Sequence, residues 1–451
     1  MEYKYRTFTK FVSHLHLMAT KGDTPPLGQT IAEKILSSRS GGPAHAGDLV
    51  VADIDYLMAG DAKGPKAVDI FREAGLPFRL DPAKCDLIID HFVPAFDIRW
   101  ASDHVKLREF ASERSLNLFD AGSGVCHNLV TEEGRVGPGD LAVGGDSHVC
   151  TYGALNTMAV AVESGETASV FATGKLWFKV PRTIRVEFEG SLPEGVFAKD
   201  MALCLAEEVG LNGANYRAVE YGGPALAELT MEGRFTIANM AVDMGAKTGL
   251  MEVDEKTLRW AKAAGREGSP AMPDPDADYE RTIRLNVSSL EPLIAAPPTT
   301  DNVYPVGEYA GLTVHQAYLG TCTNGRLEDL EIAARILRGR RVAPGVRFYI
   351  APASRRIQEA AARIGAIEAL NAAGAILLPP SCGPCASMTG NGVVAAGERI
   401  ITTANRNFPG RLGSKEAEIY LGSPATVAAS ALAGQIADPR EILDKIEGAE
   451  R

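Results

Sequence analysis

Short apolar runs of strand length recur along this chain, each closed by a polar or glycine-containing turn and followed by a stretch with helical spacing. That alternation predicts an α/β fold, because period-two apolar runs and 3.6-period runs cannot share one secondary structure. The spacing predicts strands over 48–56, 85–89, 140–144, 183–188, 314–319, 346–350 and 375–378. It predicts helices over 63–74, 106–115 and 327–337. Two of the strands end in polar residues of functional type. Asp90 and His91 follow one, and Asp146, Ser147 and His148 follow another. In open α/β sheets ligands bind beyond such strand ends.

A chain of 451 residues is expected to form two or three domains. Pro181 separates a helical stretch from the next strand, which places a first boundary near 179–185. A second falls between 265 and 309, a stretch holding PAMPDPDAD from Pro270 and APPTTDNVYP from Ala296. The expected domains are 1–182, 183–300 and 301–451. With 45% hydrophobic and 23% charged residues, the chain has the profile of a soluble globular protein. No apolar run approaches the roughly 18 to 20 residues of a membrane span. A net charge of −11 argues against a broad basic surface for nucleic acid. Met1 to Thr24 lacks the apolar core and cleavage site of a secretion signal. Seven cysteines, an odd number, do not make a disulfide framework, so a cytoplasmic location is expected.

Two segments of the last third carry the densest chemistry. GTCTNGR, from Gly320, lies at a predicted strand-to-helix turn, and PPSCGPC, from Pro379, follows another strand. Together they present Cys322, Cys382 and Cys385. A lone C-x-x-C also fits ordinary core. Structural zinc sites want four ligands, and electron-transfer clusters commonly use four cysteines. Three thiols in tight polar turns would leave one iron of a cubane without a protein ligand and open to substrate. His91, His127 and His148 are flanked by Asp, Ser or Gly at predicted strand ends, which favours a functional role. His14, His16, His45, His104 and His315 read as satisfied core residues.

These segments resemble the cluster motifs of the aconitase superfamily, particularly its isopropylmalate dehydratase large-subunit and homoaconitase branches. The likeness continues through DHFVP from Asp90, GVCHNL from Gly124, GDSHVCTYGA from Gly145, TGKLWFKVP from Thr173, MEGRFTIANMA from Met231 and ANRNFPGR from Ala404. It implies three α/β domains around a central iron–sulfur site, with the mobile swivel domain supplied by a separate small subunit. It also implies a [4Fe–4S] cluster on Cys322, Cys382 and Cys385. Catalytic roles would fall to Asp90, His91, His127, Asp146, His148 and Asp243. Ser147, Asn239, Arg406 and Arg411 would contact the substrate. Cys85, Cys126, Cys150 and Cys204 have no counterpart role and read as buried or neutral thiols.

The activity implied is reversible dehydration of a 2-hydroxy di- or tricarboxylate, with 3-isopropylmalate the commonest fit and homoaconitate or alkylmalates such as 2,3-dimethylmalate as alternatives. Such chemistry needs a Lewis acid for the departing hydroxide, acid–base groups beside it and planar cations for the carboxylates. A different class, an iron-sensing or electron-transfer protein, would use the same thiols without turnover. Two departures from the family pattern stand out. Glu163 replaces a glycine, which is expected to alter a backbone turn, and Asp243 replaces a glutamate, which shortens its reach.

Overall fold

The computed structural model describes residues 28–386 and 389–450. The reading of Met1 to Thr24, with His14 and His16, lies outside them. The fold is α/β, built on three main sheets. The first has five parallel strands in the order Asn117–Phe119, Cys85–Ile88, Tyr56–Gly60, Leu141–Gly144, Met158–Ala161. Its three inner strands are buried at every residue, as expected of a sheet covered on both faces. The chain builds outward from Tyr56–Gly60, then returns to start the other side with Leu141–Gly144. A crevice therefore opens at the carboxyl ends of these two neighbours.

The second sheet is parallel, in the order Thr248–Met251, Arg217–Gly222, Arg182–Glu189, Arg281–Asn286. The third has seven strands: Val303–Pro305, Leu293–Ala295, Glu418–Gly422, Arg399–Thr402, Gln316–Leu319, Arg347–Ile350 and Ile376–Leu377. Its order also reverses, between Gln316–Leu319 and Arg399–Thr402, which run parallel. One core containing Tyr152, Tyr221, Phe235 and Tyr318 joins the three sheets. Among the described residues no helix is long and apolar enough to cross a membrane.

Several expectations need correction. The strand expected over 48–56 is two elements. Leu49–Asp53 pairs antiparallel with Lys175–Lys179 in a separate ribbon, and the sheet's central strand starts only at Tyr56. Asp55 breaks the run, because its carboxylate and its N–H both bond to Leu141. The helix expected from 106 begins at Ile98, where the Asp97 carboxylate accepts the N–H of Arg99 at 2.6 Å. The Pro-rich stretch is not a bare linker. It holds the edge strand Arg281–Asn286, and Leu293–Ala295 pairs with Glu418–Gly422 of the third sheet although 183–300 was assigned to the second domain. Short pairings at sheet edges tolerate such composition. Glu163 distorts nothing. At φ −87° it adopts a backbone open to any residue, it opens the helix Ser164–Thr173, and its carboxylate accepts from Lys63 Nζ at 2.7 Å.

Candidate active site

The polar residues that follow the strands of the first and third sheets converge on one another. Asp61 follows Tyr56–Gly60, Asp90 and His91 follow Cys85–Ile88, and Asp146 follows Leu141–Gly144. His127 lies in the first turn of the helix Cys126–Glu132. Asp146 is the hub: its Oδ1 is 2.7 Å from His127 Nε2 and accepts the His148 N–H at 2.8 Å, while Oδ2 is 3.5 Å from His91 Nε2. His91 Nδ1 is 2.8 Å from Asp90 Oδ1. Ser147 Oγ is 3.1 Å from His148 Nδ1, and His148 Nε2 is 3.4 Å from Asp243 Oδ2.

Electrostatics follows from this packing. Burial opposes charge on His91, but Asp90, Asp146 and Asp61 outweigh it and raise its pKa well above the ordinary value. Burial likewise opposes ionisation of Asp146, yet His127, His148 and His91 hold it well below the usual carboxylate range. Asp243 is also lowered against its burial, by His148 and Arg406.

The two cysteine segments come from different strand ends of the third sheet and meet the histidines. Cys322, Cys382 and Cys385 share one buried cluster with Val125 and Ala386. One ring nitrogen of His91 and the sulfurs of Cys382 and Cys385 lie within 4.8 Å of one another. Tyr318 clasps the two segments: its hydroxyl donates to Cys382 O at 2.8 Å and accepts from Thr321 N at 3.1 Å. Gly383, at φ +54°, lets the second loop pass, because a Cβ there would lie 2.6 Å from that hydroxyl. Arg326 holds the first loop from beneath through Thr323 O at 2.6 Å and Cys322 O at 3.2 Å.

The donor set is one of three thiols. Two nearby cysteines lie outside that buried cluster: Cys150 Sγ donates to Asn239 O at 3.2 Å, and Cys126 belongs to the main core. All seven cysteines are free. Burial pushes Cys322 up to about 12, with Asp146 adding to the shift. The Cys382 thiol donates to Cys385 and, with His91 and Arg411, lowers the Cys385 thiol below its ordinary value. Asn405 Nδ2 donates to Cys322 Sγ at 3.4 Å. Three buried sulfurs with an amide donor aimed at one of them suit a cluster held by three protein ligands.

Arg406 donates from Nε to Asp243 Oδ1 at 2.7 Å. Arg411 buries its Nε without a hydrogen-bond partner among the described residues. Asn239, expected to contact substrate, directs its amide to the protein: Nδ2 donates to Thr151 Oγ1 at 2.8 Å, and Oδ1 accepts from Thr323 Oγ1 at 2.9 Å and Asn405 Nδ2 at 3.3 Å.

Sequence reasoning missed four participants. Asp61, fully buried, accepts the N–H of His91 at 3.2 Å and of Phe92 at 3.0 Å, and its Oδ2 is 3.3 Å from His104 Nε2. His104 is thus a satisfied buried histidine, but one attached to the site. Asn405, Tyr318 and Lys199 complete the set. A correctly placed strand end would have exposed Asp61, whereas Lys199 lies far from every motif and carried no signal.

Residues 33–311 and 307–434 match the aconitase family (aconitate hydratase). The 3-isopropylmalate dehydratase large subunit 1 of Methanopyrus kandleri is 50% identical over 92% of this chain and 100% of its own length. The corresponding large subunit 2 of Archaeoglobus fulgidus is 46% identical over 92% of this chain and 100% of its own. A probable methanogen homoaconitase large subunit from Methanosarcina mazei is 47% identical over 87% of this chain and 100% of its own. Relatives matched along their whole length, and a family match running across all three sheets, leave one conclusion: the chain belongs to the aconitase family.

Proposed function

We propose that this chain is the large subunit of an iron–sulfur hydro-lyase that removes and restores water on a 2-hydroxy dicarboxylate, with 3-isopropylmalate as its substrate. The observation that carries the reading is the meeting of three buried thiols with the Asp–His network at the switch points of the first and third sheets. Cys322, Cys382 and Cys385 would hold a [4Fe–4S] cluster. Bound there, the cluster supplies a Lewis-acidic iron for the substrate hydroxyl. The name of the Methanopyrus relative supports the choice of substrate, and that of the Methanosarcina relative makes a homoaconitate-type acid the second reading.

The chain's own residues do the rest. His91 is oriented by Asp90 through Nδ1, and the carboxylates around it favour its protonated form, so it is placed to give a proton to the departing oxygen. Asp146 holds the His127 ring through Nε2 and the His148 main chain through its N–H, which keeps both histidines beside His91. Arg406 and Arg411 grip the carboxylates. Ser147 contacts the substrate beside His148, and Asn239 braces Thr323 and Asn405 from behind. The relatives' designation as large subunits supports a small-subunit partner that completes the pocket. Seven free cysteines support a reducing cytoplasm.

The test is anaerobic reconstitution with iron and sulfide in the presence of the small subunit, followed by a screen of 3-isopropylmalate, homocitrate and citrate by absorbance of the unsaturated product. Cys322→Ala, Cys382→Ala and Cys385→Ala should each lose the cluster. Stoichiometric zinc without acid-labile sulfide would overturn the assignment.

A further inference from the structure

Lys199 opens the helix Ala198–Val209 and is almost wholly buried, at 1% exposure. A buried ammonium is costly unless its donors are met. Its hydrogen bonds run to main-chain oxygens, to Thr403 O at 3.0 Å and Ala404 O at 2.8 Å. Those carbonyls immediately precede Asn405 and Arg406. Asn405 reaches Cys322 Sγ and Asn239, and Arg406 reaches Asp243. Thr403 also exchanges two hydrogen bonds with Gly320, the first residue of the first cysteine segment, through its Oγ1 at 3.0 Å each. One side chain from the second sheet's helix layer thus fastens the turn at which two loops of the third sheet leave their strands.

We infer that Lys199 is a positioning residue, whose ammonium fixes the 403–406 turn so that the Asn405 amide meets the Cys322 sulfur and the Arg406 guanidinium meets a substrate carboxylate. Burial lowers its pKa to about 8, and the nearby Asp243 foremost opposes that fall, so the ammonium persists at neutral pH. An apolar side chain would leave the two carbonyls without a donor and free the turn to rotate. A lysine held by carboxylates would merely balance charge. This one holds two carbonyls of a single turn, and that turn carries two functional side chains.

The inference rests on the reading of the site as a cluster-bearing hydro-lyase, so its test has an arm that does not. Lys199→Met and Lys199→Gln are compared with wild type, first as apo-protein by hydrogen exchange. Amides over 403–411 should exchange about tenfold faster or more in the methionine variant, and less so in the glutamine variant, which keeps two N–H donors. In the reconstituted enzyme with its small subunit, iron and sulfide content should match wild type. KM should rise about tenfold or more with a smaller change in kcat. The cluster potential should become more negative as the bond from Asn405 to sulfur weakens. A lowered melting temperature with unchanged exchange over 403–411 and unchanged kcat/KM per cluster would make Lys199 merely structural and overturn the proposal. So would failure of both variants to fold. Failure of wild-type protein to take up iron would sink the hydro-lyase reading instead, leaving the exchange result to stand alone.

Discussion

Arg406 and Asp243 form an ion pair at 2.7 Å through Nε, and the other oxygen of the same carboxylate lies 3.4 Å from His148 Nε2. The shorter aspartate, expected to limit reach into the site, therefore engages both Arg406, proposed to grip the substrate, and His148, proposed to act in proton transfer.

Asp243→Glu should consequently move Arg406 rather than release it. We expect kcat/KM to fall roughly tenfold with cluster content unchanged, because a displaced bidentate donor loses about one charge-assisted hydrogen bond of about 1.5 to 3 kcal/mol. Asp243→Asn should fall further, since it also removes the charge facing His148. Steady-state kinetics alongside iron analysis decides the matter. A glutamate variant as active as wild type would show that the carboxylate's length is irrelevant here.

Asp61 orients His91 from behind, through the N–H groups of His91 and Phe92 and a contact with His104. Burial opposes its ionisation, yet His104 and His91 hold it far below the usual carboxylate range. Asp61→Asn should lower kcat about tenfold or more while leaving KM near wild type, because the histidine it aligns transfers a proton instead of gripping a carboxylate. A matching rise in KM with unchanged kcat would place Asp61 outside the proton path.

Much of this site was legible in the sequence because its residues sit beside glycines, prolines and one another at strand ends: Asp90 and His91, Asp146 to His148, and the two cysteine segments. Their convergence was not, since it depends on the carboxyl ends of two sheets facing each other, a relation with no local signature. Helix 327–337 could be read from its apolar spacing and was matched residue for residue. The central strand Tyr56–Gly60 was hidden because Asp55 interrupts a continuous β-like run for a tertiary reason, its bonds to Leu141. Lys199 and Tyr318 were invisible on the same grounds. Each acts on main-chain groups of the site's loops, and a main-chain group carries no residue identity.

Asp200 supplies a pH dependence. Burial pushes its carboxyl up to about 7, even though it accepts the N–H groups of Phe197 and Leu293 at 2.8 Å each. The unfolded carboxyl ionises near about 3.9, so folding takes up a proton between those values. The contribution to stability is full below about pH 4 and declines as pH rises towards about 7, by at most about 1.4 kcal/mol per unit, then levels off. Urea midpoints of the apo-protein between pH 4.5 and 8 should show that decline, flattened in Asp200→Asn. An identical slope in the variant would assign the proton elsewhere. The variant's absolute stability should drop, since an amide can accept only one of the two backbone bonds through its single oxygen.

Arg411 is the sharper test of the carboxylate grip. Its Nε is buried without a hydrogen-bond partner among the described residues, and its charge helps lower Cys385. An unmet buried donor costs roughly 1 to 3 kcal/mol, a cost that an arriving carboxylate would remove. Lysine keeps the charge but gives up the planar fork of N–H donors. Arg411→Lys should therefore keep its cluster and melting temperature, yet lose roughly ten- to a hundredfold in kcat/KM. Arg406→Lys, which also breaks the bond to Asp243, should lose both activity and thermal stability. If Arg411 only held its loop, where Leu412 O accepts from Val394 N at 2.9 Å, the lysine variant would melt earlier and turn over normally per folded molecule. Melting temperature, iron content and kcat/KM measured on the same preparations separate the two, and near-wild-type turnover in Arg411→Lys would remove this arginine from the substrate clamp.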